Sequence, residues 1–553
     1  MQENNILSDP LFWLSFMVGG FFLSLTLWFG LGMDQSIFCY SVWVWKSLGL
    51  PPYVGAWDHA FPAIFLIYRL AMRIFGESVL GFRFFDFLVQ LSCLPMIFYL
   101  ARRLSGFSVS GLLSAVFYSI YYYSLDVSGT AQRESYIFWV LLVCIILALC
   151  LEDRILLGAA ATGFLLGFAF LLKPTFGLAW PVFGVFFLVR EMKKSHKIPW
   201  RELAVFSLSC AALPLIIIFL YWRAGYLDKL YQAAIWFNFE IYTKMADPAL
   251  ERSDFWTIYL PAAIFMEYPL FSLPALGILF YRFKKRDLAK DKNLFLMIIS
   301  LMLVGIFSYR YQAKYFPFHL IPFVSFMIIF SGWAFGLLIF MLREVTRSAM
   351  GKVSVSIFCL LLIGTCLAQI SPWLRNFAVN YCFHDFNRAY AAGFMEKDDP
   401  ENTSNYFVAA QSLRAVLNPG DQIASFGPYP LIPFLLKKKL PTYYPCVHHL
   451  LMMRRDGKIF PIQKVLIRQY SHEMIISRPR FIIMTAELPV QKRRLFNFMS
   501  YGAAEALEKE FPELLKFIQT NYRLKIIIGK VYIYEFLGSS VKKNSEKNSN
   551  AGK

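Results

Sequence analysis

Runs of about twenty apolar residues, separated by short charged stretches, fill the first two thirds of the chain, and about twenty is the number a helix needs to cross a hydrocarbon core roughly 30 Å thick. These runs predict transmembrane helices over 11–33, 84–101, 107–125, 135–151, 155–172, 175–190, 203–222, 256–281, 293–308, 319–342 and 353–371. Between 155 and 190 only Lys173-Pro174 interrupts the apolar pattern, which predicts two short helices meeting at one membrane face. Beyond residue 371 the long runs stop, and short strands with period-2 alternation mix with helical stretches. This predicts an α/β or α+β soluble domain over 380–537. Its candidate strands are Gln422 to Phe426, Arg480 to Thr485, Lys525 to Ile528 and Val531 to Phe536, the last two joined as a hairpin through Gly529, with a helix from Ala503 to Tyr522. The Lys, Asn and Ser-rich tail over 538–553 reads as disordered.

Charge then orients the helices. With the N-terminus inside, the even-numbered loops carry Arg102-Arg103, Arg154, the cluster from Arg190 to Arg201, the cluster from Arg282 to Lys292, and Arg343, Arg347 and Lys352. Short basic loops mark the cytoplasmic side. The expected layout is therefore a multi-pass protein of the inner (plasma) membrane, with a transmembrane domain over 1–372, a first outer loop over 34–83, and an extracytoplasmic C-terminal domain.

Composition supports the same class. Of 553 residues, 58% are hydrophobic, 18% aromatic and only 16% charged, far from the quarter charged residues of soluble domains. The net charge of +19 is spread over loop clusters rather than gathered in a patch, which argues against nucleic acid as a partner. No CxxC occurs among the nine cysteines, most of which lie in or beside apolar runs where thiols act as small hydrophobes. Only Cys382 and Cys446 fall in the soluble region. The run from Leu11 to Leu31 lacks a basic flank and a small-residue cleavage site, so it reads as a retained first helix.

The outer loops hold both acids and bases, whereas the inner loops hold mainly orienting charges. The first loop carries Asp34, Asp58, His59, Arg69, Arg73 and Glu77, with Arg83 at the start of the next helix. Asp126, Arg133 and Glu134 lie in the second, Lys173 in the third, Asp228, Glu240 and Lys244 in the fourth, and Arg310, Lys314 and His319 in the fifth. A carboxylate at the mouth of a transmembrane helix is costly unless it meets water, a partner or a substrate. The segment from Phe61 to Phe75 has helical apolar spacing with Arg69 and Arg73 on one face, the pattern of a helix lying in the interface. Such a helix either shapes a groove for a lipid-linked substrate or contacts lipid headgroups.

Asp34, Tyr40, Leu50-Pro51-Pro52-Tyr53, Trp57-Asp58-His59-Ala60-Phe61-Pro62, Phe75-Gly76-Glu77 and Arg83 together resemble the first outer loop of the GT-C membrane glycosyltransferases. The branch is that of glycosyltransferase family 39, the protein O-mannosyltransferases, and the lipid A aminoarabinose transferases. Later segments agree: Leu172-Lys173-Pro174-Thr175, Tyr311-Gln312-Ala313-Lys314 with His319 and Pro322, Phe426-Gly427-Pro428-Tyr429-Pro430, and Lys439-Leu440-Pro441-Thr442-Tyr443. The resemblance implies a sugar donor on a polyprenyl phosphate and a first-loop Asp acting as general base. It assigns Asp34 and Asp58 to catalysis, and Arg83, Arg310, Lys314, His319 and His59 to the donor phosphate. Glu134, Arg133, Lys173 and Tyr40 fall to the acceptor or its surroundings. Two departures stand out: Gln35 follows Asp34 where the family has Glu, and Ala60 stands where the family has a phosphate-binding lysine.

Each residue also has a plain structural reading. Asp58 caps the following helix, Glu134 meets a helix dipole, Lys173 snorkels to the interface, and Tyr309, Tyr311 and Tyr315 belong to the aromatic belt. His448-His449 and His472-Glu473 lack any zinc-binding frame such as HExxH, which predicts solvated surface and no metal or cofactor, with a divalent cation left open. Asn402-Thr403-Ser404 has the form of a glycosylation sequon. The reading as a whole is an inverting glycosyltransferase passing a sugar from a polyprenyl-phosphate carrier to a lipid, glycan or protein acceptor at the outer face of the membrane. The alternatives are a lipid or sugar transporter or flippase, an O-antigen polymerase or ligase, and a catalytically silent scaffold of the same fold.

Overall fold

The computed structural model describes residues 6–244, 260–266, 268–285, 289–312, 314, 316–345, 403–428, 430–452, 458–485, 492–493, 496–497 and 503–538, with 353, 356, 357, 360 and 364 besides. The predicted span 353–371, the start of span 256–281, Cys382, Asn402 of the sequon, Tyr429 and the tail from 539 therefore lie outside the described residues or nearly so.

Helices follow the apolar runs: α1 (Pro10–Ser24), α4 (Val79–Ser105), α5 (Ser108–Ser124), α7 (Arg133–Cys150), α8 (Ile155–Leu172), α9 (Ala179–Ser195), α10 (Trp200–Arg223), α12 (Pro269–Lys285), α13 (Lys292–Gln312) and α14 (Ile321–Val345). Among the described residues, eight spans, several of them including a flanking 3-10 turn, are long and apolar enough to cross a membrane. At Lys173 the backbone becomes extended, and a 3-10 turn over Pro174–Leu178 leads into α9. The chain therefore breaks where the Lys-Pro pair predicts. The bundle is knitted through small residues, since a side chain at Gly332 or Gly336 of α14 would strike Ser114 or Ser110 of α5.

The first outer loop departs from expectation by containing a helix, α2 (Met33–Leu48), ahead of the predicted interfacial one, α3 (Ala63–Phe75). Asp34 thus sits in the first turn of a new helix, where the dipole favours a carboxylate. In α3, Arg69 stacks its guanidinium 3.8 Å from the ring centre of Trp45 of α2. Short turns labelled α6 (Asp126–Gly129) and α11 (Leu227–Leu230) complete the membrane part.

The C-terminal region folds around a mixed sheet of β1 (Ile423–Phe426), β2 (Phe481–Thr485), β5 (Tyr522–Ile528) and β6 (Val531–Phe536), in the order β1-β2-β6-β5. A separate two-residue ladder pairs β3 (Lys492–Arg493) with β4 (Phe496–Asn497). β1 runs parallel to β2, with Ile423 opposite Phe481, and every residue of both is buried, in keeping with their mainly apolar sequences. β5 and β6 form the expected hairpin, turning at Gly529 with φ of 54°. The helix expected over Ala503 to Tyr522 divides into Ala503–Glu510 and Pro512–Asn521. Pro512 lacks an N–H and pushes Phe511 out of helical geometry.

A seam joins this region to the first loop. Trp57 donates its main-chain N–H to Tyr443 O at 3.0 Å, the Tyr443 hydroxyl donates to Tyr53 O, Leu440 N–H donates to the Tyr40 hydroxyl at 2.8 Å, and Lys437 donates to Glu77 O at 2.8 Å. Glu77 also pairs with Lys46 at 2.9 Å.

Candidate active site

The site begins with a clamp. Arg83, fully buried near the start of α4, donates to Gly30 O from two nitrogens at 2.8 and 2.6 Å, to Thr130 Oγ1 at 2.9 Å and to Val127 O at 3.3 Å. Gln35 donates to Val127 O at 3.0 Å and Thr130 O at 2.7 Å. The start of α2 and the turn over 126–130 are thereby fixed to one another. Within that turn Asp126 and Ala131 have φ of 70° and 55°, left-handed values that cost non-glycine residues free energy. Ala131 is held there by the Tyr122 hydroxyl, which accepts from its N–H at 2.8 Å, and by the Tyr68 hydroxyl, which donates to its carbonyl at 3.2 Å. The strained residue aims the following Gln132-Arg133-Glu134 at Asp34.

Asp34 is partly buried, takes a side-chain hydrogen bond from Gln132, and has Arg133, Glu134 and Lys173 as charged neighbours. Burial raises its pKa above the usual carboxylate value, and the Arg133 guanidinium is the main force pulling it back. Glu134 is fully buried, ion-paired with Lys173 and 3.7 Å from His319 Nε2. Lys314, 1% exposed, lies 5.0 Å from the ring centre of Tyr242, whose ring in turn lies 4.5 Å from that of His59. Asp58 accepts from Ala60 N–H at 2.5 Å, so it caps the turn before α3 rather than α3 itself, whose own N-cap is Pro62. Burial pushes the Asp58 pKa up to about 7, against the pull of the Ala60 N–H and of Arg133.

Asp34, Asp58, His59, Arg133, Glu134, Lys173, Lys314 and His319 thus form one electrostatic neighbourhood, drawn from the first loop, the start of α7, the end of α8, and the loop before α14. Within it Arg133 Nε, Glu134 Oε2, Gln132 Oε1, His59 Nδ1 and His319 Nδ1 are buried with no hydrogen-bond partner among the described residues. Buried polar atoms are paired almost everywhere in folded proteins, so this many in one place makes it the candidate site for a polar ligand.

Other expected site residues lie elsewhere. Arg83 points its guanidinium into main-chain carbonyls and a hydroxyl, which makes it a brace for the site rather than a ligand of the donor phosphate. Tyr40, 1% exposed on α2, spends its hydroxyl on Leu440 of the C-terminal region. Arg310 stands half-buried in the last turn of α13. The expectation of solvated histidines holds for His472, which is exposed, but not for His449, which is 3% exposed and packs its ring 5.1 Å from Trp57 and 4.8 Å from His59. Gln132, Tyr242 and Asn238 were not singled out from the sequence. Gln132 alone carried a visible signal, its place directly before Arg133-Glu134.

Comparison with known proteins agrees with this fold. A family model described as dolichyl-phosphate-mannose-protein mannosyltransferase matches residues 58–222, a segment holding Asp58, His59, Arg133, Glu134 and Lys173. No curated protein matches the chain by sequence. The fold is shared with the crystal structure of ArnT from Cupriavidus metallidurans bound to undecaprenyl phosphate, at a TM-score of 0.56 and 14% identity over 96% of this chain and 98% of that one. The apo state of the same protein gives a TM-score of 0.53 at 14% identity, over 94% of this chain and 97% of that one. The resemblance read from the first loop is therefore borne out twice: residues 58–222 match the protein-mannosyltransferase family model, and the chain as a whole shares the fold of ArnT.

Proposed function

We propose that this protein is an inverting glycosyltransferase that moves a sugar from a polyprenyl-phosphate donor to a hydroxyl of an envelope acceptor, at the outer face of the membrane in which it is embedded. The observation that carries the reading is the cluster of unpartnered buried polar atoms around Asp34, flanked by the cations Arg133 and Lys314. In this scheme the Asp34 carboxylate takes the proton of the acceptor hydroxyl as its oxygen attacks C1 of the sugar. The bond from C1 to the phosphate oxygen breaks on the opposite face, and the leaving polyprenyl phosphate gains negative charge. Arg133 and Lys314 stabilise that charge, and the imidazole of His319 supplies a further polar contact. Lys314 replaces the cation that relatives carry where this chain has Ala60. Glu134, held between Lys173 and His319, keeps that side of the cleft in place. The donor of ArnT's bound undecaprenyl phosphate class is the natural candidate, and the acceptor is a lipid, glycan or protein.

A deletion strain beside an Asp34→Asn strain tests this reading by mass analysis of envelope glycans and lipid-linked sugars. Both strains should lose the same glycan and accumulate the same carrier-linked sugar; unchanged glycans in both would overturn the assignment. Lys314→Ala is expected to weaken donor affinity by roughly 10- to 100-fold, the loss of a hydrogen bond to a charged group, with a smaller effect on turnover of bound donor. Equilibrium binding of a labelled donor reads this directly, and unchanged affinity would remove Lys314 from the phosphate site. The base must be ionised, and burial raises the Asp34 pKa. Transfer should therefore fall on the acid side of the profile at a higher pH than an exposed aspartate would give, and kcat/KM measured against pH would show an ordinary carboxylate midpoint if Asp34 were not the base.

A further inference from the structure

We infer that Asp86 is a positioning residue for the candidate site: through the hydroxyl of Tyr122 it holds Ala131, and with it Arg133 and Glu134, in place beside Asp34. The inference rests on the proposed role of Asp34 as base. Asp86 lies on α4 seven residues beyond Val79, about 10 Å down the helix from its start, and it is fully buried. An acid at that depth in a membrane-spanning helix is costly and is kept where it serves a partner.

The side chains that hydrogen-bond to Asp86 are donors. Tyr122 of α5 reaches both carboxylate oxygens with its hydroxyl, at 3.0 and 2.8 Å, and Gln90, one turn further along α4, donates to Oδ1 at 3.1 Å. Gln90 is turned that way by Tyr118, whose hydroxyl donates to its Oε1 at 2.6 Å. With the Arg83 guanidinium as its charged neighbour, Asp86 acts as a carboxylate, which only accepts. The single Tyr122 hydroxyl proton is therefore committed to Asp86, and the phenol oxygen is left to accept from Ala131 N–H at 2.8 Å. A hydroxyl that donates to a carboxylate is also the stronger acceptor.

The chain from Asp86 through Tyr122 thus has one direction, and it ends on a residue whose φ of 55° a side chain other than glycine does not keep unaided. Ala131 leads into Gln132 and the start of α7, the segment that gives Asp34 its hydrogen bond from Gln132 and its charged neighbours Arg133 and Glu134. A change at position 86 is felt at Asp34 through two hydrogen bonds and a short stretch of main chain. A plain counter-charge for the buried Arg83 would explain an acid at 86, but not the bonds that lead away from Arg83 to Ala131. Tyr122→Phe separates the two roles, because it leaves Asp86 and Arg83 in place and removes only the hydroxyl between Asp86 and Ala131.

The experiment compares Tyr122→Phe, Asp86→Asn and the double variant with the wild type. Tyr118→Phe is the control, since it removes a hydrogen bond of the same network on the side away from Ala131. Hydrogen–deuterium exchange of peptides covering residues 126–136 should speed up roughly 10-fold in the first three, the worth of one hydrogen bond, and not in the control. Arg133 is the main force pulling the Asp34 pKa down against burial, so a displaced Arg133 leaves it higher. The acid limb of kcat/KM should therefore move to higher pH by about half a unit or more, a fraction of the roughly 1 to 3 units an adjacent guanidinium supplies. Its plateau should fall roughly 10- to 100-fold. The double variant should shift no further than the singles, since both cut one chain. Unchanged exchange in Tyr122→Phe would overturn the inference, as would an unmoved acid limb in a protein whose Asp34→Asn variant is inactive. Should Asp34→Asn turn over like the wild type, the base assignment fails by itself, and exchange alone decides whether Asp86 holds the turn. If Asp86→Asn does not fold, Tyr122→Phe carries both measurements.

Discussion

Asp34→Asn should lower turnover by about 100- to 10,000-fold, the usual worth of a positioned general base, while the protein inserts, folds and binds donor as before. The amide keeps the shape of the carboxylate and can still meet Gln132 and Arg133, but it cannot accept the acceptor's proton. Stability should be nearly untouched, because the start of α2 is held by Arg83 and Gln35 and not by Asp34. A transfer assay with a labelled polyprenyl-phosphate sugar, run beside a thermal unfolding curve, separates the two effects. Turnover within tenfold of the wild type would remove Asp34 as the base; a lost unfolding transition would make it a structural residue.

The largest stability effect is expected at Arg83. Arg83→Met leaves Gly30 O, Val127 O and Thr130 Oγ1 without their shared donor in a place that water does not reach. Leaving a buried acceptor without its hydrogen bond costs roughly 1 to 3 kcal/mol, and the unfolding temperature in detergent reads it. Arg83→Lys separates a brace from a phosphate ligand. One ammonium cannot serve acceptors on both sides as a planar guanidinium does, so lysine should restore little of the lost stability. A stable Arg83→Lys protein with weakened donor binding would return Arg83 to the phosphate site.

Run length made most of the membrane helices legible, since crossing a bilayer demands long apolar helices whatever their packing. Helix α2 escaped because its residues, from Met33 to Leu48, continue an apolar stretch that already satisfied one span, and only the Gly30-Leu31-Gly32 segment separates the two. The strands of the C-terminal region were visible in their own pattern, while the break at Pro512 overrode a favourable helical stretch. In the site, residue type and loop membership brought Asp34, Asp58, His59, Arg133, Glu134, Lys173, Lys314 and His319 together. Direction was not readable. Arg83 and Tyr40 occupy the right loop but turn into main-chain contacts, a choice made by tertiary packing that no spacing records. His449 lies some 390 residues from His59 in sequence, and Tyr242 looks like any belt aromatic until the folded chain places it between His59 and Lys314.

The seam formed by Tyr40, Tyr53, Trp57 and Glu77 with Lys437, Leu440 and Tyr443 sets a rule for building hybrid enzymes. Exchanging the C-terminal domain alone between relatives would cut these pairs and leave half of each unmatched. A graft that carries residues 33–83 along with the incoming domain transfers both halves, so the seam travels as a single cassette.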